Sequence, residues 1–135
     1  MEFKLMLGLQ KTGLPLIVTS SGTKNLCFLI DTGATHNVIF DYVYEHFKEE
    51  LKRLDGNQSI MGIGGNYQKT RNIEATFNFE GVDYTSSFSV LDASSAMKQV
   101  QQETGVQIHG ILGIHFLLEN KWILDFKTYK VKCNV

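Results

Sequence analysis

The sequence predicts a mainly β chain with two or three short helices. Three observations carry this: runs of alternating apolar and polar residues, glycine-centred turns between them, and few stretches with helical spacing. With 135 residues and 43% hydrophobic content, the chain can bury a core without disulfide or metal staples and is too short for two ordinary domains. Residues 1–135 are therefore expected to form one domain. A net charge of -1 gives no basic field for nucleic acid and no polybasic anchor for a membrane, so neither is expected as a partner. No charged leader with an apolar run opens the chain, and no stretch approaches the ~18–20 apolar residues of a membrane span. A cytoplasmic location is the matching expectation.

Taken in order, Phe3 to Leu9 and Leu14 to Thr19 read as short strands joined near Lys11-Thr12-Gly13. Pro15 fits a strand start or edge, where its missing N–H removes no ladder bond. Ser21-Gly22-Thr23 is a turn, and Leu26 to Ile30 is apolar enough to be a strand covered on both faces. From Asp41 the pattern changes. Val43, Phe47, Leu51 and Leu54 recur at three- and four-residue intervals, which predicts an amphipathic helix capped by Asp41 and stopped near Asp55-Gly56. Residues 57–91 read as strands. Asn72 to Phe79 and Val82 to Leu91 alternate around Glu80-Gly81 as a hairpin, with Phe77, Phe79, Phe88 and Val90 as core candidates. Ala93 to Glu103 reads as a helix ended by Gly105, and Val106 and Ile108 lead into a glycine-bounded segment at Gly110.

The chemistry-bearing run is Asp31-Thr32-Gly33-Ala34-Thr35, which places a carboxylate on a tight turn directly after the buried strand. It resembles the active-site turn of retropepsin-like and pepsin-like aspartic peptidases. Gly110-Ile111-Leu112-Gly113, followed by Trp122 to Phe126 and Tyr129 to Val131, resembles the segment that packs behind that turn in the retropepsin-like family, with the helix, strand and final hairpin that follow it. Between them, Met61-Gly62-Ile63-Gly64-Gly65 resembles the glycine-rich flap tip of the retroviral enzymes. Independent motifs in a fixed order are far more specific than the tripeptide alone.

The resemblance implies a closed β-barrel of the acid-protease type, a polypeptide substrate and no cofactor or metal. Carboxylate hydrolysis needs two carboxyls flanking one water, and the chain carries one Asp-Thr-Gly. The second Asp31 must then come from another copy across a two-fold axis, so a homodimeric endopeptidase is expected. By the same resemblance, Thr32, Gly33 and Ala34 support the catalytic loop. Ile63, Gly64 and Gly65 form a closing flap, and Ile111, Leu112 and Gly113 lie behind the site, with Ile63, Ile111 and Leu112 expected to give the cleft apolar walls. The alternative from another class is an inactive module of the same fold that binds peptide or serves assembly.

Two departures from the retroviral pattern stand out: an acidic residue and its arginine partner are absent together, with Thr35 in the place of the first and no arginine around Gly110 to Gly113, and His36 stands close to the motif. His36 is expected in a solvated loop. His46, His109 and His115 lack metal-ligand spacing. Cys27 is expected to be a small buried hydrophobe and Cys133 a free thiol.

Overall fold

The structure is a computed structural model that describes residues 2–47, 52–61 and 67–133. Its strands, in chain order, are β1 (Glu2–Lys4), β2 (Leu16–Ser21), β3 (Lys24–Ile30), β4 (Val38–Phe40), β5 (Lys52–Met61), β6 (Tyr67–Phe79), β7 (Val82–Leu91), β8 (Gly110–Leu112), β9 (Ile123–Asp125) and β10 (Lys130–Lys132). Its helices are α1 (Met6–Thr12), α2 (Asp41–Phe47), α3 (Ser94–Thr104) and α4 (Ile114–Glu119). The molecule is mainly β, with short helices.

Strands run in the order β2-β3-β8-β4-β7-β6, and a pairing of Ser20 with Asn78 brings β2 back to β6. A six-strand barrel is thereby closed, with β5 attached to the outer edge of β6. Closure removes the exposed strand edges that invite mispairing. Aromatic side chains fill the interior. Phe28 stacks on Phe88 at 5.7 Å between ring centroids, and Phe77 meets Phe28, Tyr84 and Phe116 within 6 Å. Trp122 covers one end against Phe79 and Phe116. Full burial of each such phenylalanine stabilises the fold by roughly 1.5–3 kcal/mol before entropy is counted.

The expected hairpin is present. Glu80 and Gly81 both take positive φ, at 51° and 83°, which lets a two-residue turn follow the right-handed twist of β6 and β7. Phe77, Phe79, Phe88 and Val90 are buried. Pro15 directly precedes β2 and uses only its carbonyl, which accepts the Ile30 amide. Leu26, Phe28 and Ile30 face the barrel interior, while Cys27 and Leu29 pack half-buried against a second cluster around Val38 and Phe40. α3 ends at Gly105, whose positive φ of 75° and amide bond to the Gln101 carbonyl stop the helix.

Two assignments made from the sequence are corrected. Phe3 to Leu9 is not one strand: β1 ends at Lys4 and residues 6–12 are helical. The run Met-Leu-Gly-Leu-Gln-Lys-Thr consists largely of good helix formers. The Gly13 amide closes the helix on the Leu9 carbonyl, and the Thr12 hydroxyl donates to the Gly8 carbonyl at 2.8 Å. The helix from Asp41 is also shorter than its periodicity suggests. It begins with the Asp41 carboxylate accepting the Tyr42 amide and is described as far as Phe47, while the chain is already in β5 from Lys52, so Leu54 lies on a strand. Leu51 lies outside the described residues. Pairing with the long β6 satisfies the β5 backbone, which outweighs a weak helical pattern. Asp55-Gly56, expected to stop the helix, instead falls where the β5–β6 register shifts.

The final hairpin closes within the chain. β10 lies between β1 and β9, pairing Val131 with Phe3 on one side and Leu124 on the other. No helix among the described residues is long and apolar enough to cross a membrane.

Candidate active site

The site is built where three strand ends meet. β8 runs parallel to β3, with Ile30 opposite Leu112, and antiparallel to β4, with Val38 opposite Ile111. It therefore separates the strand that enters the Asp31 loop from the strand that leaves it. Such an approach excludes side chains on β8 at one point. A Cβ on Gly110 would stand 2.3 Å from the Val38 carbonyl oxygen and 2.9 Å from the Phe28 ring.

The loop is then tied to β8 and α4 by a ladder of hydrogen bonds. The Asp31 amide donates to the Leu112 carbonyl at 3.0 Å, and the Ile114 amide donates to the Ala34 carbonyl at 2.8 Å. Between these, the Gly113 amide donates to Asn37 Oδ1 at 2.9 Å. A Cβ on Gly113 would meet the Ala34 oxygen at 2.7 Å and the His36 oxygen at 3.0 Å, so glycine is needed for close approach. The Asn37 amide nitrogen donates to Ser86 Oγ at 2.9 Å and to the Ser87 carbonyl at 3.2 Å, which joins the loop to β7.

Asp31 caps its own turn. Its Oδ1 accepts the Gly33 amide at 2.9 Å, and its carbonyl accepts the Ala34 amide at 3.1 Å. The carboxyl is half-buried, while Thr32 and Gly33 are exposed. Gly33 does not have a left-handed φ; the requirement is space, since a Cβ there would lie 3.2 Å from Asp31 Oδ1. One carboxylate oxygen is thus fixed by a backbone donor, and the group stands at the surface of a rigid frame.

Asp31, Thr32, Gly33 and Ala34 are brought together with Ile111, Leu112 and Gly113, but not all in the roles expected. Leu112 is 0% exposed, so its side chain belongs to the core and cannot wall a cleft; its carbonyl holds Asp31. Ile111 is half-buried on the opposite face of β8. Ile63, Gly64 and Gly65 lie outside the described residues. The β5–β6 hairpin reaches them with Met61 paired to Tyr67 as the last described pair. His36 lies on the loop, half-buried, and lines a cavity with His115.

Asn37 is a site residue that sequence reading missed. Its only signal is a polar amide immediately before the buried Val38-Ile39-Phe40. His109 is a second. Its Nδ1 accepts the Cys27 amide at 2.8 Å while its own amide donates to the Cys27 carbonyl at 2.8 Å, which fastens β3 to the segment entering β8. Burial lowers the His109 pKa, as suits a neutral imidazole accepting a hydrogen bond. Burial also pushes the Cys27 thiol up to about 11. Both cysteines are free, and among the described residues no cluster of three or more His, Cys, Asp or Glu is arranged to hold a metal ion.

Comparison with known proteins agrees with this architecture. The sequence profile described as aspartyl protease matches residues 16–116. The retroviral protease-like domain of Ddi1 from Leishmania major superposes with a TM-score of 0.63 at 14% identity, over 90% of this chain and 88% of that one. EIAV protease complexed with the inhibitor HBY-793 superposes with a TM-score of 0.58 at 22% identity, over 78% of this chain and 86% of the other. Among curated protein sequences there is no significant match. The profile spans the Asp31 loop, the barrel and the start of α4, and on that match, with the retropepsin-like fold, the chain belongs to the aspartyl protease family.

Proposed function

We propose that the chain is an aspartic endopeptidase whose hydrolytic centre forms from the Asp31 carboxyls of two identical subunits. One observation carries the reading: a single Asp-Thr-Gly turn, with one carboxylate oxygen oriented by the Gly33 amide, held on a glycine-packed frame. Half of a two-carboxylate site is present, and its other half is a second Asp31.

In this reading two facing carboxyls cannot both ionise and hold one proton between them, as in other aspartic-protease dyads. The ionised member takes a proton from water as the water oxygen attacks the peptide carbonyl carbon. The protonated member gives its proton to the carbonyl oxygen, so a neutral gem-diol forms. On collapse the C–N bond breaks, a gem-diol hydroxyl gives its proton to the ionised carboxyl, and the leaving nitrogen takes a proton from the protonated one, so the dyad again holds one proton. Thr32 stiffens the pair of loops. Ile63, Gly64 and Gly65 close over an extended peptide held by strand-type backbone bonds, and Ile63 and Ile111 give apolar contacts beside the scissile bond. Two free cysteines suit a reducing compartment, and the proposal places the enzyme in the cytoplasm without cofactor or metal.

A second reading has its own support. β10 is paired on both sides within its own chain, so the interleaving of chain ends that joins retroviral subunits is not open to it. A chain that stays monomeric would be a peptide-binding module of the same fold. Sedimentation across a range of concentrations, together with cleavage of a diverse peptide library at mildly acidic pH, separates the two. The enzyme reading predicts self-association and cleavage that Asp31→Asn abolishes; cleavage equal in that variant contradicts it.

A further inference from the structure

Beside the Asp31 loop lies a cavity of about 330 Å³ that the proposed hydrolysis does not use. It opens between the end of the loop, β7 and α4. Its floor is apolar, formed by Phe88 and Phe116, and its rim is polar, with His36, Ser87, His115 and Glu119 among the groups that line it. Asn37 also lines it but is committed to architecture, since its side chain already bonds Gly113, Ser86 and Ser87. His36, His115 and Glu119 have no hydrogen bond or ion pair among the described residues, so their polar capacity is open to a ligand.

Position ties this cavity to the peptide path. Asp31 and His36 lie on one loop, five residues apart, so they are separated by at most ~17 Å of extended chain. A substrate residue within about five positions of the scissile bond reaches the same distance. His115 and Glu119 are one helical turn apart on the exposed face of α4, which starts at the Gly113 contact with the loop. The volume lies at the small end of ligand pockets, which favours one long side chain over a separate small molecule.

The chemistry of the rim narrows the occupant. Imidazole and hydroxyl groups offer donors to an acceptor oxygen, while the Glu119 carboxylate accepts from a donor and disfavours a second carboxylate. An aliphatic stem over Phe88 and Phe116 suits the floor. Resting on the peptidase reading above, we infer that this cavity is a specificity subsite for a substrate side-chain amide, glutamine above all. Its carbonyl oxygen bonds to His36, His115 and Ser87, and its NH2 donates to Glu119. An apolar side chain would forgo these bonds and would cover the half-buried His36 imidazole without pairing it.

The test uses a cleaved peptide into which glutamine, glutamate or leucine is placed at each position from the second to the fifth on either side of the bond. At one position, glutamine should exceed leucine by about tenfold or more in kcat/KM and should exceed glutamate. His115→Leu should bring the glutamine-to-leucine ratio to about one, and Glu119→Gln should erase the preference over glutamate. No discriminating position, or ratios unchanged in both variants, overturns the inference. If the native protein cleaves nothing, the same peptides are titrated against the full-length Asp31→Asn protein by fluorescence anisotropy. Amide-selective binding lost in the added His115→Leu change upholds the subsite while the hydrolase reading falls. Unselective or absent binding overturns the subsite as well.

Discussion

Asn37 Oδ1 accepts the Gly113 amide at 2.9 Å across 76 residues of chain, and this side-chain bond stands between the two backbone bonds that tie the loop carrying Asp31 to the segment behind it. Gly113 has no room for a side chain, with the Ala34 and His36 carbonyl oxygens already at 2.7 and 3.0 Å from its would-be Cβ. Gly113→Ala must therefore push the loop outward by tenths of an ångström. Such a shift matters more to catalysis than to folding, because reacting groups tolerate little misplacement. Activity is expected to fall by about 100-fold or more with a thermal midpoint lowered by only several degrees. Parallel kinetic and melting measurements check this; a fully active Gly113→Ala protein would show that the loop is not held from this side.

His109 sets the stability of the frame in acid. In the fold its Nδ1 accepts the Cys27 amide and burial lowers its pKa, so the native state resists protonation more than the unfolded chain. The unfolded state binds more protons below the ordinary histidine range, so stability rises with pH there. The contribution is present above about pH 6.5 and is lost as pH falls from that value through the lowered native pKa. His109→Asn keeps an acceptor but cannot titrate. Its melting temperature should be lower than native at about pH 7 and should change less between about pH 7 and pH 5. An unchanged slope would remove His109 from the acid response.

The hairpin of β9 and β10 makes a different prediction. Val131 is fully buried and pairs on both sides within its own chain. Val131→Asp should destabilise the chain by about 3 kcal/mol or more, since an unpaired carboxylate enters the core. The loss in urea midpoint should not depend on protein concentration. A midpoint that recovers as concentration rises would mean that the strand is shared between subunits.

Much of this arrangement was legible in the sequence because local signals and tertiary structure agree. Phe28-Leu29-Ile30-Asp31-Thr32-Gly33 reads as strand then turn, and Glu80-Gly81 reads as a hairpin, because each needs only its own residues to declare itself. The errors fall where they do not agree. Phe3 to Leu9 is too short an apolar run for periodicity to choose between helix and strand, and the spacing that draws Leu54 into a helix is overridden by its backbone pairing with β6. Leu112 looked like a cleft wall until alternation along β8 turned its side chain inward. Asn37 and His109 act through partners 76 and 82 residues away, and no local pattern reports a bond of that kind.

In the proposed mechanism one active centre takes an Asp31 from each of two chains. Native and Asp31→Asn proteins, mixed in varied ratio and left to exchange subunits, test it directly through total activity. If the centre is shared, activity follows the square of the native fraction, because only native pairs carry two carboxyls. Activity that falls in simple proportion to the native fraction would mean that each chain hydrolyses on its own, and the shared-centre account would be wrong.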